Sequence, residues 1–599
     1  MTRRWSAALA LLALTSISFL IFPGHTILQA DTQIYIPILE RLNDPSLFAN
    51  DEMAKRPHVQ FTFFDEVGLL LRRITRLSFE QVLMGQQFVY RAVAILGVYL
   101  LALATGLRPI LAWLAAALVS LGAAVIGPAV LIVEYEPVPR GFALPFVVFS
   151  LAMVSYRRWL FAAAAATIAF SFHPPTALAY GVALLVLLLW NKEFKASGVL
   201  ASGPLVMVIA ILVQDPSPDK LPLFQRIDPM LEDLQRMRAA YNWVSLWLGR
   251  WIYLYVILTI LGFLAWLRIR RYFSRELNIL VLALSIIGLL SVPLSYLLLE
   301  RMKLMVVPQF QPGRYLLYVT FFTILLTSIA AIHAGARGSY VEAVLFFLVP
   351  LGMAATEWDP AKLLGTRSAV VLILALGCAW SVRQQQPWLI AIAGLLSFFA
   401  LSWIGVQNYA EVHSDDLDRL AGWALANTSK DAVFQFADSE KKLDPGIFRA
   451  RAKRALYVDW KSGGQVNFLR DFSVLWRDRW DLLGRQQDID VYRKLGIDYV
   501  VFQASNKQPA QTPVYENARW VVYDLRKSST SLRDGTEAWA PARVTEMAAA
   551  ALANRSACST AKPSVSATAS PALNVSPAAV VSATSTANPG AWMPMLTSA

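Results

Sequence analysis

The chain has 599 residues, of which 56% are hydrophobic and only 16% charged. Soluble domains carry about 25% charged residues, so this composition excludes an ordinary water-soluble enzyme and points to a polytopic membrane protein. The formal net charge of +13 then reflects arginines that fix loops on the cytoplasmic side rather than a nucleic-acid surface. The two cysteines, Cys378 in an apolar run and Cys558 in a low-complexity tail, leave no disulfide framework or thiolate metal site.

The chain opens on MTRRWSAALALLALTSISFLIF, a basic start followed by an apolar run. No small-x-small cleavage site closes it, so it reads as a retained anchor rather than a signal peptide. A spanning helix needs about 20 mainly apolar residues. Thirteen runs approach that standard, near 5–22, 88–106, 109–131, 141–156, 159–172, 175–190, 197–214, 249–267, 278–299, 315–333, 340–356, 367–381 and 387–405. With the N-terminus inside, the cytoplasmic loops hold Arg108, Arg157 and Arg158, Lys192 and Lys195, the run RIRRYFSRE, Arg337 and Arg383. The outer loops hold EYEPVPR, DPSPDKLP, ERMK and EWDPAK, where acids are common. That asymmetry follows the positive-inside rule and predicts an integral protein of a bacterial inner (plasma) membrane, everything after about 406 lying outside.

The predicted fold is therefore mainly α, a transmembrane bundle over 1–405 with a long first outer loop at 23–87. In that loop FTFFDEVGLLLRRITRLSFEQVL spaces its apolar residues three and four apart between Arg72, Arg73 and Arg76, as helices lying on a membrane surface do. The second long loop, 215–248, carries the amphipathic LEDLQRMRAAYNWVSLW. Residues 406–527 alternate helix-like pieces with the strand-like runs AVFQFA, ALYVDW, DYVVFQA and WVVYDLR, which predicts a small extracytoplasmic α/β domain. Residues 528–599, rich in Ser, Ala, Thr and Pro, read as a disordered tail.

Ionisable residues at the outer face are few and fall at helix–loop junctions. Asp31 follows the first run, in TILQADTQIYIPIL, with the aromatic Tyr35 four residues on. Glu134 and Glu136 follow the third run, with Arg140 closing the same short loop; His173 ends the fifth, in FSFHPP, and Arg314 opens the tenth, in PQFQPGRYLLY. Each has a bland reading as helix cap, loop solubility or snorkelling cation. Together they share one side of the membrane and suit a lipid-phosphate substrate: carboxylates to act as base or hold a divalent cation (Mg or Mn), arginine forks to grip phosphate oxygens. The pairs Asp51–Glu52 and Asp65–Glu66 read as solvated loop charge, with Asp51 and His58 leaving a metal site open alongside Asp31 and Glu134. The basic run FRARAKRALYVDWKSGG reads as a solvated strand edge, or as a surface for anionic head groups or glycan. No Walker loop, GxSxG or HExxH occurs, which disfavours ATP-driven pumps, serine hydrolases and zinc proteases of the usual kinds. No run carries a convincing central charge, which disfavours an ion-coupled transporter.

An N-in first helix, acids in the first outer loop (Asp31 in QADTQIY) and the second (Glu134, Glu136), many further spans and an outer C-terminal domain resemble the polytopic GT-C glycosyltransferases. The phrases NTSKDAVF, RALYVDWK and LGIDYVVF resemble segments that follow the last span in uncharacterised bacterial members, and the resemblance covers residues 5–526. It implies transfer of a sugar from a polyprenyl-phosphate carrier at the outer face to an acceptor it does not identify. Asp31 then acts as base or metal ligand, Glu134 or Glu136 is the second acid, and Arg140, His173, Arg314 and Tyr35 bind substrate. The sequence lacks a WWD-type motif and a tight Asp–Glu pair directly after the first span, which separates it from the oligosaccharyltransferase and protein-mannosyltransferase branches. Two other classes share the architecture. A non-catalytic scaffold or exporter component predicts that these charges occupy separate solvent patches, and a flippase predicts a polar path across the span midplanes.

Overall fold

The computed structural model describes residues 2–56, 62–213, 219–354, 366–405 and 412–526. Each of the thirteen apolar runs contains a helix, though not always over its full length. Among the described residues, five helical stretches are long and apolar enough to cross a membrane, namely Phe79–Ala104, Phe194–Val213, Gly249–Tyr272, Arg275–Arg301 and Val306–Ala336, and shorter apolar helices pack among them. In lipid every backbone polar group must be satisfied within the segment, which is why such runs fold as helices. The chain is an integral membrane protein.

The helix Leu316–Ala336 is buried along nearly its whole length and forms the centre of the bundle. Phe194–Val213 lies at the periphery and turns Leu205, Leu212 and Val213 outward, the arrangement expected where the solvent is hydrocarbon. At one end of the bundle Arg157 pairs with Glu276 and Arg268 with Glu342. The candidate site lies at the other end.

One run departs from expectation. The apolar stretch 109–131 is helical only over Pro109–Ser120. It then turns back as a two-stranded antiparallel ribbon, β1 (Ala124–Val125) and β2 (Val130–Leu131), pairing Ala124 with Leu131. Gly127, at φ +89°, makes the turn beside Pro128, a backbone state that costs glycine little and other residues more. Hydrophobicity alone could not reveal the reversal. It shortens the span and delivers Glu134 and Glu136 to the end of the bundle.

The C-terminal region carries a mixed sheet of β3 (Val433–Phe436), β4 (Ala455–Leu456), β5 (Tyr499–Gln503), β6 (Tyr515–Glu516) and β7 (Trp520–Asp524), in the order β4-β3-β5-β7-β6. β3 runs parallel to β4 and β5, and β5 pairs antiparallel with β7, Val501 opposite Val522. Both faces are covered, so the central strands read as continuous apolar runs rather than alternating ones. Tyr499, Val501, Trp520 and Val522 enter a core continuous with the helical bundle. Val500, Phe502, Val521 and Tyr523 enter a second core that includes Ile34, Ile38 and Phe48 of the first loop. The helix Thr32–Asn43 is thus sandwiched against the sheet region, its buried residues running from Thr32 to Glu40.

Candidate functional site

The backbone after the first helix is shaped by a carboxylate from elsewhere. Glu136 is buried, and its two oxygens accept the backbone N–H groups of Gln29 (2.6 Å), Ala30 (2.6 Å) and Thr32 (3.1 Å). Three charge-assisted hydrogen bonds fix this turn, and the turn presents Asp31. Burial and the nearby Asp31 charge push the Glu136 carboxyl above its usual range, against those N–H groups. Glu136 therefore clamps the loop; its oxygens are spent on backbone.

Asp31 is itself buried, and each of its oxygens meets a cation: Oδ1 accepts from Lys461 Nζ at 2.7 Å and Oδ2 from Arg140 Nη1 at 2.8 Å. Burial alone raises a carboxyl pKa, but Lys461 and Arg140 together outweigh it and hold Asp31 at about 2. Arg140 Nε donates to Glu134 Oε1 at 2.8 Å, so one guanidinium bridges the acids of two loops. Glu134 also accepts from Leu131 N, in β2. Arg140 stands in the first turn of Pro139–Ser155, where Pro139 opens the helix as proline at N1 commonly does.

His173 caps the helix Pro174–Trp190. Its Nδ1 accepts the Thr176 backbone N–H at 3.1 Å and lies 2.8 Å from Thr176 Oγ1. That assignment puts the proton on Nε2, leaving it a donor. Burial, then the charges of Arg314 and Arg140, push its pKa well below the ordinary value, so the ring is neutral. Arg314 is buried in the short turn Pro312–Tyr315 ahead of the central helix. Its guanidinium carbon sits 5.1 Å over the Tyr241 ring, and its Nε has no hydrogen-bond partner among the described residues.

These residues meet around one cavity of about 930 Å³, continuous with solvent, whose walls include Asp31, Tyr35, Arg140, His173, Arg314 and Lys461. Tyr35 packs at a tilt against Phe64, ring centroids 5.2 Å apart. Burial, then Asp31, push the Tyr35 phenol up, so it stays protonated. A second, mainly apolar cavity lies between Ile95, Val98, Leu144, Val148 and Phe321, with Glu134 and Arg91 at its polar end. A smaller pocket containing Glu134, Arg140 and Arg314 lies between the two.

Three ionisable wall residues, Lys461, Arg238 and Tyr241, were not among the site residues the sequence offered. Lys461 comes from the C-terminal region and is buried, as are Arg449 and Arg454; their run is not the solvated strand edge it suggested. Arg449 Nη1 bonds Asp459 Oδ1 at 3.0 Å, and Asp459 Oδ2 accepts Lys461 N at 3.2 Å, fixing the backbone that aims the lysine. Gly463 belongs to the same turn because a Cβ there would come within 2.7 Å of Arg238 Nε. Arg238 and Tyr241 come from the second long loop. A signal for Arg238 existed: Leu231, Leu234, Gln235 and Arg238 are the buried positions of Pro229–Arg238, so an arginine stands on the inward stripe.

The other acids fall elsewhere. Asp51 is buried, accepts Ala54 N and Leu456 N, and stands 3.8 Å from Arg449, pinning the first loop to β4. His58 lies outside the described residues. Asp65 is buried rather than solvated, and its Oδ1 finds no partner among the described residues. Among the described residues no three His, Cys, Asp or Glu side chains gather in a metal-binding group. The acids at the cavity do not fit a divalent cation: both Asp31 oxygens are taken by cations, and Arg140 occupies the space between Asp31 and Glu134.

No protein-family model matches the chain. No curated protein matches it either. Among solved structures it is similar to ArnT from Cupriavidus metallidurans in the apo state, with a TM-score of 0.45 and 14% identity over 88% of this chain and 99% of that one. It is also similar to the same protein bound to undecaprenyl phosphate, with a TM-score of 0.41 and 13% identity over 86% and 96% of the two chains. A third match is the mycobacterial arabinofuranosyltransferase AftD, with a TM-score of 0.41 and 14% identity, covering 88% of this chain but 40% of AftD.

Proposed function

We propose that the protein is a GT-C-type membrane glycosyltransferase that moves a sugar from a polyprenyl-phosphate carrier to an acceptor at the outer face of the inner membrane. The observation that carries this reading is the meeting of Asp31, Arg140, His173, Arg314 and Lys461 at one cavity, with Glu134 held by Arg140 at the polar end of an adjoining apolar one. Separate solvent patches, the expectation for a scaffold, are not what these ion pairs form.

On this reading the prenyl chain lies in the apolar cavity and its phosphate against Arg140 and Arg314. The acceptor hydroxyl, oriented by Asp31, attacks the anomeric carbon as the bond to the phosphate oxygen breaks. The departing phosphate gains charge, which preorganised guanidinium groups and the His173 Nε2–H stabilise. Asp31 in its resting ion pairs is too weak a base. A phosphate that competes for Arg140 and Lys461 loosens those pairs, and a carboxylate relieved of neighbouring cations binds a proton more readily. The N-terminus is then cytoplasmic, and membrane lipids surround the bundle.

The test is sugar transfer in proteoliposomes from a panel of polyprenyl-phosphate donors, comparing wild type with Asp31→Asn. Turnover by the wild type and a loss of about 100-fold or more in a folded Asp31→Asn protein is the expected result. Turnover that survives the substitution unchanged would remove Asp31 from the chemistry.

A further inference from the structure

We propose that the cavity holds a second anion subsite, centred on Arg238, which takes a phosphate or carboxylate group of the acceptor while the lipid phosphate occupies Arg314 and Arg140. The word acceptor rests on the glycosyltransferase reading; the anion site does not.

Arg238 ends the helix Pro229–Arg238 and is 4% exposed. Its guanidinium carbon lies 4.0 Å over the Trp460 ring and 5.7 Å from that of Trp476. Stacking satisfies the faces of the group and not its edge: Nε and Nη2 are buried and have no hydrogen-bond partner among the described residues. Asp459, which acts on it electrostatically, is bonded to Arg449 instead. Burial, only partly offset by Asp459, Tyr241 and Asp31, lowers the Arg238 pKa to about 10, so the group is still charged at neutral pH. Buried polar groups in native proteins are hydrogen-bonded as a rule, and a buried cation without an acceptor is costly. A ligand oxygen at the cavity supplies what the chain does not.

The neighbouring groups fit such a ligand. Tyr241 Oη accepts N–H bonds from Asn467 (3.0 Å) and Gln311 (3.2 Å), so its own hydrogen is left to donate. The two under-used arginines stand on different walls. Arg314 precedes the central helix of the bundle, whereas Arg238 is covered by Trp460, Gly463 and Trp476 of the C-terminal region.

The experiment is equilibrium binding to the full chain in nanodiscs, with undecaprenyl phosphate as the lipid probe and glucose 1-phosphate, glucuronate and glucose as soluble probes. A soluble anion is expected to bind about tenfold or more tighter than glucose, the scale of a charged hydrogen bond. Saturating undecaprenyl phosphate is expected not to displace it. Arg238→Gln should weaken the soluble anion about tenfold and leave the lipid within about twofold, with Arg238→Lys retaining part of the loss. One-for-one competition between lipid phosphate and soluble anion in the wild type, or no preference for anions over glucose, overturns the proposal whether or not the variants fold. A wild type that binds the soluble anion and no undecaprenyl phosphate keeps the anion site and sinks the lipid-donor reading instead.

Discussion

Asp31 and Lys461 show how a single buried charge depends on its partner. Removing one side of a buried pair leaves the other desolvated and unpaired, at about 3–5 kcal/mol. Asp31→Asn should therefore lower the unfolding midpoint measurably, and Asp31→Asn combined with Lys461→Met should recover most of it without recovering turnover. A double variant as unstable as the single one would mean that the pair is not coupled. The folded pKa of Asp31, about 2, lies below the ordinary 3.8. Its contribution is accordingly full above that ordinary value and lost as pH falls through about 2, so it gives no pH dependence between 5 and 8. Asp65 works in the opposite sense. Burial, then Glu66, push its carboxyl up to about 7, so its ionisation costs stability increasingly from pH 3.8 to about 7. Asp65→Asn should stabilise the protein at pH 8, by up to about 4 kcal/mol, and hardly at all at pH 4. Thermal unfolding at the two pH values checks this; an equal effect at both would contradict it.

At the scale of the element, His173 joins two roles that substitution can separate. As N-cap it holds the first turn of Pro174–Trp190 through Nδ1, and it also faces the cavity. Asparagine is among the best N-cap residues. His173→Asn should thus keep stability within about 0.5 kcal/mol, while turnover falls because the imidazole donor is gone. His173→Ala should lose both, the cap costing about 1 kcal/mol. If His173→Asn turns over normally in the transfer assay, the histidine is a cap and nothing more. The ribbon of β1 and β2 is the second element that matters: it sets the backbone from which Glu134 reaches Arg140 and Glu136 reaches the loop 29–32.

The whole molecule does not divide where its composition does. Residues 412–526 have a sheet of their own, yet one face of it shares a core with Ile34, Ile38 and Phe48 and the other continues into the bundle. A fragment spanning 412–526 would expose those surfaces. It should therefore give a non-cooperative melt and bind a hydrophobic dye; a sharp transition in the isolated fragment would show that it folds alone. The same sharing explains why a lysine from residue 461 completes a site begun at residue 31.

By itself the sequence determined the membrane character, the helical runs, the strand-rich C-terminal stretch and the junctions at which Asp31, Glu134, Glu136, Arg140, His173 and Arg314 stand. Those properties are local, written in hydrophobicity, breaker residues and the spacing of charge. Only the tertiary structure decided which charges meet. Asp31 and Lys461 are 430 positions apart, and no period or motif records such a distance. Glu136 and Glu134 are two residues apart in one loop, yet the fold gives one to backbone N–H groups and the other to Arg140. The reason is physical: partnership between buried charges is set by a few ångströms of packing, and packing is a property of the whole chain.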